Sequence, residues 1–345
     1  MGVVRGELVF PSVSEFERGP FTVPSPIGPN ERVVAYVFLA TQNPTLTFAL
    51  PSVTQAVTPQ SPGGVGYQYG LSTAPGNRTL YALAGLEDRS GALPKFTADA
   101  MGLVKGVPVT ADQTTTEVPM HRMELGPTHA PSPPPPRPQG PDRLLSQVAI
   151  RFGNEGFGIL PQGQSAPSLP LAQNPVFVGV PWLAESLAQS SYYVSARAVT
   201  GPSFLTPTSV VGAVQTNTTA FPVTIDGSVE LPSLLAPTKN TAWDGRELEV
   251  SFGPGFPVDL TVYDVASQSG VARWTVAVPG GARRVTLPDL RTLGLGDEGL
   301  PSGALTVGVY GARIDDFDYA KLRYRNLRPA GMTAYSLDYV PAILP

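Results

Sequence analysis

A proline-rich run inside the chain constrains the fold more than any other feature of the sequence. The segment "APSPPPPRP" occupies residues 130–138 of 345. Proline fixes φ and has no backbone N–H, so such a run cannot join a helix or a central strand. We therefore expect a stiff linker at 126–142 that separates two folded parts. Docking of an SH3-like partner, with Arg137 beside the prolines, is the alternative interpretation.

Strand signals outnumber helix signals before the linker. The run "VVAYVFLA" is rich in β-branched and aromatic residues and predicts a buried strand. The best helix candidate in the whole chain is "PWLAESLAQSS", which has Pro181 near its start and is short enough to form a single turn. The predicted N-terminal strands are 33–40, 45–50 (with Leu46, Phe48 and Leu50 on one face), 79–88, and two strands around a polar turn within 106–125.

The β character returns after the linker. Stretches within 174–216 and 226–234 read as strands, and seven more follow at roughly 8–12-residue spacing between Gly/Pro turns, which is typical of an antiparallel sandwich. We expect Trp274, Val276 and Val278 to face the core, as do Leu305, Val307 and Val309. In 318–325, alternation places Ala320, Leu322 and Tyr324 opposite Tyr319, Lys321, Arg323 and Arg325. The seven strands are 247–252, 257–265, 271–279, 283–290, 304–312, 318–327 and 333–340.

These patterns predict an all-β protein of tandem β-sandwich modules. The first module spans 1–125, the linker 126–142, and the second module 143–345 with a possible further boundary near 236. Proline (39) and glycine (36) are abundant, as expected for many short strands joined by turns.

Composition excludes several classes of function. Charged residues make up 14% of the chain against a usual ~25%, the net charge is −4, and no segment has a strong basic excess. Nucleic acid is therefore not an expected partner. The absence of cysteine excludes disulfides, thiolate metal sites and a cysteine nucleophile. No apolar run approaches the ~18–20 residues of a membrane span, and no signal peptide is visible. We expect a mature form whose targeting segment, or a lipid anchor, lies outside the given sequence.

The first 125 residues resemble the carboxypeptidase regulatory-like domain, a small transthyretin-like β-sandwich. The matching stretches are "VVRGELVF" (3–10), "RVVAYVFLA" (32–40), "GYQYGLSTAPGNRTLYALAG" (66–85) and "AMGLVKGVPVTADQTTTEVPMHRMEL" (100–125). The long stretch 11–31 departs from the short turn that the family has there. The similarity covers about a third of the chain and implies a modular secreted or cell-envelope protein of bacteria. The remainder resembles fibronectin-type sandwich modules less specifically. The residues that keep the family's pattern are Tyr67, Tyr69, Pro75, Gly76, Tyr81, Ala82, Gly102, Val107, Val109, Thr115 and Val118.

Catalytic signatures are weak. The pair His121 and Glu124 matches H-x-x-E but leaves zinc short of a third protein ligand, since the other histidine, His129, lies in the linker. A serine hydrolase would need a G-x-S-x-G elbow, which does not occur, and no phosphate loop is found. We therefore expect no enzyme and no cofactor. A hydrolase with an unfamiliar site stays a third hypothesis, which a cleft with clustered carboxylates of perturbed pKa would favour.

Two candidate binding sites lie close together near the C-terminus. Asp315, Asp316 and Asp318 could collect calcium, although the spacing lacks a distal bidentate glutamate. Tyr319, Lys321, Arg323 and Arg325 could form an exposed strip for an anionic glycan or lipid headgroup, or a solvated strand face that discourages edge pairing.

The sequence thus predicts a non-enzymatic scaffold, adhesion or protein-interaction module of the bacterial envelope or outside the cell. Its partner would be a protein or a surface glycan. A carbohydrate-binding protein is the alternative, and exposed aromatic side chains among Trp182, Trp243 and Trp274 would favour it.

Overall fold

A computed structural model shows a chain built almost entirely from strands. Within the described residues, regular helix is limited to 3₁₀ turns, including Glu185–Leu187 and Tyr319–Lys321. The predicted all-β class is therefore confirmed. The structure describes residues 1–9, 27–52, 55–57, 66–110, 113–123, 125–131, 140–165, 168–169, 178–201, 205–215, 224–225, 229–268, 273–289, 292, 299–323, 327 and 332–345.

The N-terminal part is a sheet that folds back on itself to enclose a core. Its order is β2-β4-β5-β6-β1-β3, with β1 parallel to β6 and antiparallel to β3. Val4 and Leu8 of β1 meet Leu80 and Ala82 of β4 inside it, with Met120 of β6. The strands are β1 (Gly2–Val9), β2 (Glu31–Leu39), β3 (Gly66–Thr73), β4 (Gly76–Asp88), β5 (Lys95–Val109) and β6 (Gln113–Arg122).

One long sheet runs through the rest of the chain, in the order β17-β16-β19-β20-β12-β11-β8-β9. Its two halves join where Thr208–Val211 pairs with Ala334–Leu337. A boundary near 236 stays a prediction, but strands from both sides of that position belong to this one sheet. Its strands are β8 (Arg143–Arg151), β9 (Phe157–Ser165), β11 (Ser191–Thr200), β12 (Leu205–Gln215), β16 (Leu260–Ser267), β17 (Arg273–Pro279), β19 (Gly303–Arg313) and β20 (Ala334–Leu344).

Two smaller sheets complete the fold. One has the order β10-β7-β13, formed by β10 (Val178–Pro181), β7 (Leu125–Pro131) and β13 (Thr224–Ile225). The other has the order β14-β15-β18, formed by β14 (Pro232–Ala236), β15 (Glu247–Phe252) and β18 (Arg284–Thr286).

The β14-β15-β18 sheet covers the C-terminal half of the long sheet. Leu248 and Val250 of β15 pack in one core with β16, β17, β19 and β20. The core-facing residues predicted in two strands are confirmed, because Leu305, Val307 and Val309 are buried there and Trp274, Val276 and Val278 pack against them.

The β2-β4-β5 layer is buried on both faces. On β4, Leu80, Ala82 and Ala84 point into the N-terminal core, whereas Tyr81 and Leu83 point the opposite way. That second face packs on the long sheet through residues of β8 and β11. Because both faces are covered, the residues in the middle of β4 are all apolar or small. The long-sheet residues in this shared cluster include Leu144, Val148, Ile150, Tyr192, Val194 and Ala196.

Packing between the two parts differs from the predicted separation by a rod. Residues on both sides of 126–142 share a hydrophobic core, and residues 125–131 form β7 rather than entering a linker. Backbone bonds also cross between the parts, since Thr41 and Phe157 exchange N–H···O bonds of 2.9 and 2.8 Å. The prolines at 133–136 and 138 lie outside the described residues. The exact module boundaries stay a prediction.

Two local predictions are also revised. Residues 45–50 form no strand: Asn43 Oδ1 accepts the Thr45 N–H at 3.0 Å in a turn, after which Phe48 and Leu50 pack on the shared core while Leu46 stays exposed. The helix candidate at 181–191 contracts to the 3₁₀ turn at Glu185–Leu187, as its length allowed.

Tyr81 gives a direct test of the contact between the parts. Its hydroxyl accepts the Ile159 N–H at 3.1 Å and lies 3.3 Å from the Ile159 carbonyl oxygen on β9. Tyr81→Phe should lower the free energy of unfolding by about 1–3 kcal/mol, because the buried N–H and carbonyl groups of Ile159 lose the Tyr81 hydroxyl as their hydrogen-bond partner. Urea unfolding measures the change, and hydrogen exchange should show faster exchange at the Ile159 amide.

The matched control is Tyr339→Phe, at an exposed tyrosine. It should change stability by less than about 0.5 kcal/mol. If the β9 amides exchange as slowly in Tyr81→Phe as in the wild type, the contact between the N-terminal part and the long sheet is contradicted.

Candidate functional site

The acidic and cationic candidates near the C-terminus lie in the connection between β19 and β20. The strand predicted at 318–327 is wrong, because the described part of this segment contains the Tyr319–Lys321 turn instead. Asp318 starts that turn: its Oδ1 accepts the Ala320 N–H at 3.0 Å, and its Oδ2 lies 2.9 Å from Lys321 Nζ. An aspartate that bonds the backbone two residues ahead stabilises a turn at the expense of a strand.

This connection covers part of the outer face of the long sheet. Ile314, Phe317 and Leu322 pack over a buried cluster that includes Leu260 and Val262 of β16. Ile314, Phe317 and Leu322 therefore face the sheet, whereas Lys321 and Arg323 are exposed.

The predicted cation–aromatic strip of Tyr319, Lys321, Arg323 and Arg325 stays a prediction. Tyr319 donates its hydroxyl to the Ala277 carbonyl at 2.7 Å, and Lys321 pairs with Asp318. Arg323 donates to the Leu322 carbonyl at 2.9 Å. Arg325 lies outside the described residues. The turn brings Tyr319 and Lys321 together, but their polar groups already have partners within the chain.

Calcium binding at Asp315, Asp316 and Asp318 stays a prediction that the geometry does not favour. Both oxygens of Asp318 are engaged, whereas Asp315 and Asp316 are exposed at a turn. Among the described residues, no group of three or more His, Asp or Glu side chains is placed to hold a metal ion. His121 instead contacts Glu185 through Nδ1, and Glu124 lies outside the described residues.

A buried carboxylate lies at one end of the β2-β4 pair. Glu87 contacts the Arg32 guanidinium, accepts the Tyr36 hydroxyl at 3.1 Å and lies 3.2 Å from Arg89 Nε. Burial by itself would raise the pKa of Glu87, but these three partners together hold that pKa below its ordinary value. A carboxylate kept ionised by two arginines is suited to structure rather than to general-acid catalysis.

The three tryptophans have different surroundings. Trp182 is 37% exposed, and its ring lies against Gly126, where a Cβ would meet it at 2.7 Å. Trp243 is 5% exposed, and its Nε1 donates to the Glu247 carbonyl at 2.8 Å. Trp274 on β17 is half-buried.

Trp243 and Trp274 line one cavity of about 390 Å³ at the end of the C-terminal sandwich. Polar groups reach the same cavity from Asp244, Arg246 and Asp289. Asp244 Oδ1 accepts the backbone N–H groups of Arg246 at 2.9 Å and Glu247 at 3.3 Å, which fixes the turn into β15. The volume of the cavity lies within the range of small-molecule sites.

Sequence reasoning singled out both tryptophans but missed the three polar residues beside them. One signal was available in "WDGRE", residues 243–247, where Asp-Gly marks a turn directly after a tryptophan. Asp289 lies more than 40 positions further along, so no local pattern connects it to the site.

Comparisons with known proteins give no family for this chain. No protein-family model matches it, and no curated protein matches it significantly. A solved structure titled a two fibronectin type-III domain segment from chicken tenascin is 13% identical, with 54% of this chain and 90% of that chain covered, at a TM-score of 0.19. A likeness this distant supports no functional argument. The resemblance of 1–125 to the carboxypeptidase regulatory-like domain stays a prediction.

Glu87 predicts a pH dependence of stability. Because its pKa is lower in the folded than in the unfolded chain, the stabilisation is present at neutral pH and is lost as the pH falls below about 4.3. Glu87→Gln should cost about 1–3 kcal/mol at pH 7, with the difference from wild type shrinking towards pH 3.

Urea unfolding at several pH values measures this difference. Glu117→Gln, at an exposed glutamate of the same module, is the control and should follow the wild-type curve. If the loss of stability in Glu87→Gln stays constant down to pH 3, the charge of the Glu87 carboxylate is not its cause.

Proposed function

We propose that this chain is a non-enzymatic interaction module that acts as a scaffold or adhesion protein. The observation that carries the proposal is the β2-β4-β5 layer, whose two buried faces join the N-terminal part to the long sheet. A body built this way holds its loops and sheet ends in fixed relative positions. Such preorganisation lowers the cost of binding a partner across a large surface.

The described ionisable groups support a structural use of charge. The buried carboxylate of Glu87 pairs with Arg32 and Arg89. On the outer face of the long sheet, Asp264 accepts two bonds from Arg273, at 2.8 and 2.6 Å, and one from Thr275 at 3.1 Å. These groups orient neighbouring side chains.

The proposed location is the bacterial cell envelope or the exterior of the cell. The low charged fraction and the absence of cysteine are compatible with it. In the described part of the chain, no helical segment is long or apolar enough to cross a bilayer.

Carbohydrate binding is the second candidate, and the cavity beside Trp274 favours it. A half-buried indole next to carboxylate and guanidinium groups offers both an apolar face and hydrogen bonds. The buried Trp243 cannot serve as a second open platform, and Trp182 lies outside this cavity.

A pull-down with the full chain distinguishes the two candidates. The module 143–345 alone is unsuitable, because removal of the N-terminal part would expose the apolar face that includes Val148 and Tyr192. We expect the immobilised chain to retain a protein from bacterial envelope extracts, with saturable binding that is reproduced when the identified partner is purified and immobilised in turn.

Retention on deproteinated envelope polysaccharide would favour the carbohydrate-binding candidate instead. Loss of both kinds of retention would contradict an interaction role in the envelope. Chain unfolded in urea and coupled at the same density is the control, and it should retain neither fraction specifically.

A further inference from the structure

The cavity at the end of the C-terminal sandwich is formed by chain segments that are distant in sequence. Trp243 to Arg246 lie in the turn that leads into β15, and Trp274 lies on the edge strand β17. Leu287 and Asp289 follow β18, and Leu344 ends β20. The cavity of about 390 Å³ is therefore lined mostly by turns and loops at the strand ends, with Trp274 and Leu344 on strands.

Trp274 supplies a fixed aromatic wall. Its side chain points to the core side of β17, where it packs with Val276 and Val278 against the buried cluster. Since it remains half-buried, part of the indole also borders the cavity. An indole already held by its neighbours loses little rotamer entropy when a ligand packs on it.

Trp243 forms the inner wall rather than a platform. Its Nε1 is committed to the Glu247 carbonyl at 2.8 Å, and its backbone N–H donates to the Ile343 carbonyl at 2.9 Å. The ring is 5% exposed, so the ligand meets one main aromatic face, that of Trp274.

The polar rim selects the charge of the ligand. Arg246 is exposed and carries a planar fork of donors, and the side chains of Asp244 and Asp289 line the same cavity. Two carboxylates beside one guanidinium disfavour a phosphate or sulfate group. The mixture instead suits neighbouring hydroxyl groups, each of which both donates and accepts.

We propose that this cavity is a binding site for a neutral saccharide, with a pyranose ring packed on Trp274 and its hydroxyl groups bonded to the Arg246 guanidinium. The C–H face of a pyranose provides the apolar surface that an indole binds, and the ring edges carry the hydroxyls. The inference rests on the carbohydrate-binding candidate, and it names the site and the ligand class.

The test titrates the full chain with cellotriose, maltotriose and triacetylchitotriose, each up to about 10 mM, by calorimetry and tryptophan fluorescence. A Trp182→Phe background removes the exposed tryptophan outside the cavity, so that the signal comes from Trp243 and Trp274. We expect at least one trisaccharide to bind with a Kd of about 0.01–1 mM and to change the emission.

Variants locate the binding. Trp274→Ala should weaken the Kd about tenfold or more, because the stacking face is lost. Arg246→Ala, at an exposed position that leaves the core intact, should weaken it about fivefold. The matched controls Trp182→Ala and Arg5→Ala should keep the wild-type Kd within about twofold.

Two results would overturn the inference. The first is the absence of a saturable response to every trisaccharide. The second is binding that Trp274→Ala and Arg246→Ala, both shown to be folded by circular dichroism, leave unchanged. If the full chain is retained on envelope polysaccharide but both variants equal wild type, glycan binding survives as a function and this cavity is not its site.

Discussion

The rest of the structure depends on a single layer, β2-β4-β5, that is buried on both faces. One face closes the N-terminal core and the other packs on the long sheet, so alternate residues of β4 serve two different cores. Each large side chain buried there contributes about 1.5–3 kcal/mol of hydrophobic stabilisation. A Cβ on Gly85 would lie 1.9 Å from the Thr97 carbonyl oxygen, which shows how closely β4 and β5 approach within this layer. Neither flank of the proline run is therefore an isolated module.

The long sheet extends this constraint to the C-terminus. Along β20, Ala334 belongs to the core shared with the N-terminal part, whereas Ala342 on the same face belongs to the C-terminal core. Phe252 of β15 packs against both clusters. The N-terminal sandwich and the β14-β15-β18 sheet thus cover neighbouring halves of one sheet face. An interaction surface on either part would therefore keep a fixed position relative to the other part.

Local patterns predicted most strands, because β-branched and aromatic runs between Gly/Pro turns report directly on pleated, buried backbone. The same patterns were insufficient where tertiary packing decides. The run "TLYALAG" shows that both faces of a strand are apolar, but it cannot show which second layer covers it. At 318–323, alternation predicted a strand, yet the Asp318 cap and the packing of Leu322 on the sheet produced a turn. The sequence identified Trp243 and Trp274 as candidate binding residues, whereas their proximity to Asp289 depends on pairing between distant strands.

The cavity lies at the ends of strands from both layers of the C-terminal sandwich. The edge strand β17 runs for seven residues, but β18 in the layer above it spans three, Arg284–Thr286. Directly after Thr286, the Leu287 N–H is bonded to the Arg246 carbonyl at 2.8 Å, which joins the two turns that line the cavity. Trp274 is half-buried, because it packs on the C-terminal core and also borders the cavity. An indole that packs on a core and also borders a cavity loses little rotamer entropy when a ligand binds, which suits the binding of a partly apolar ligand.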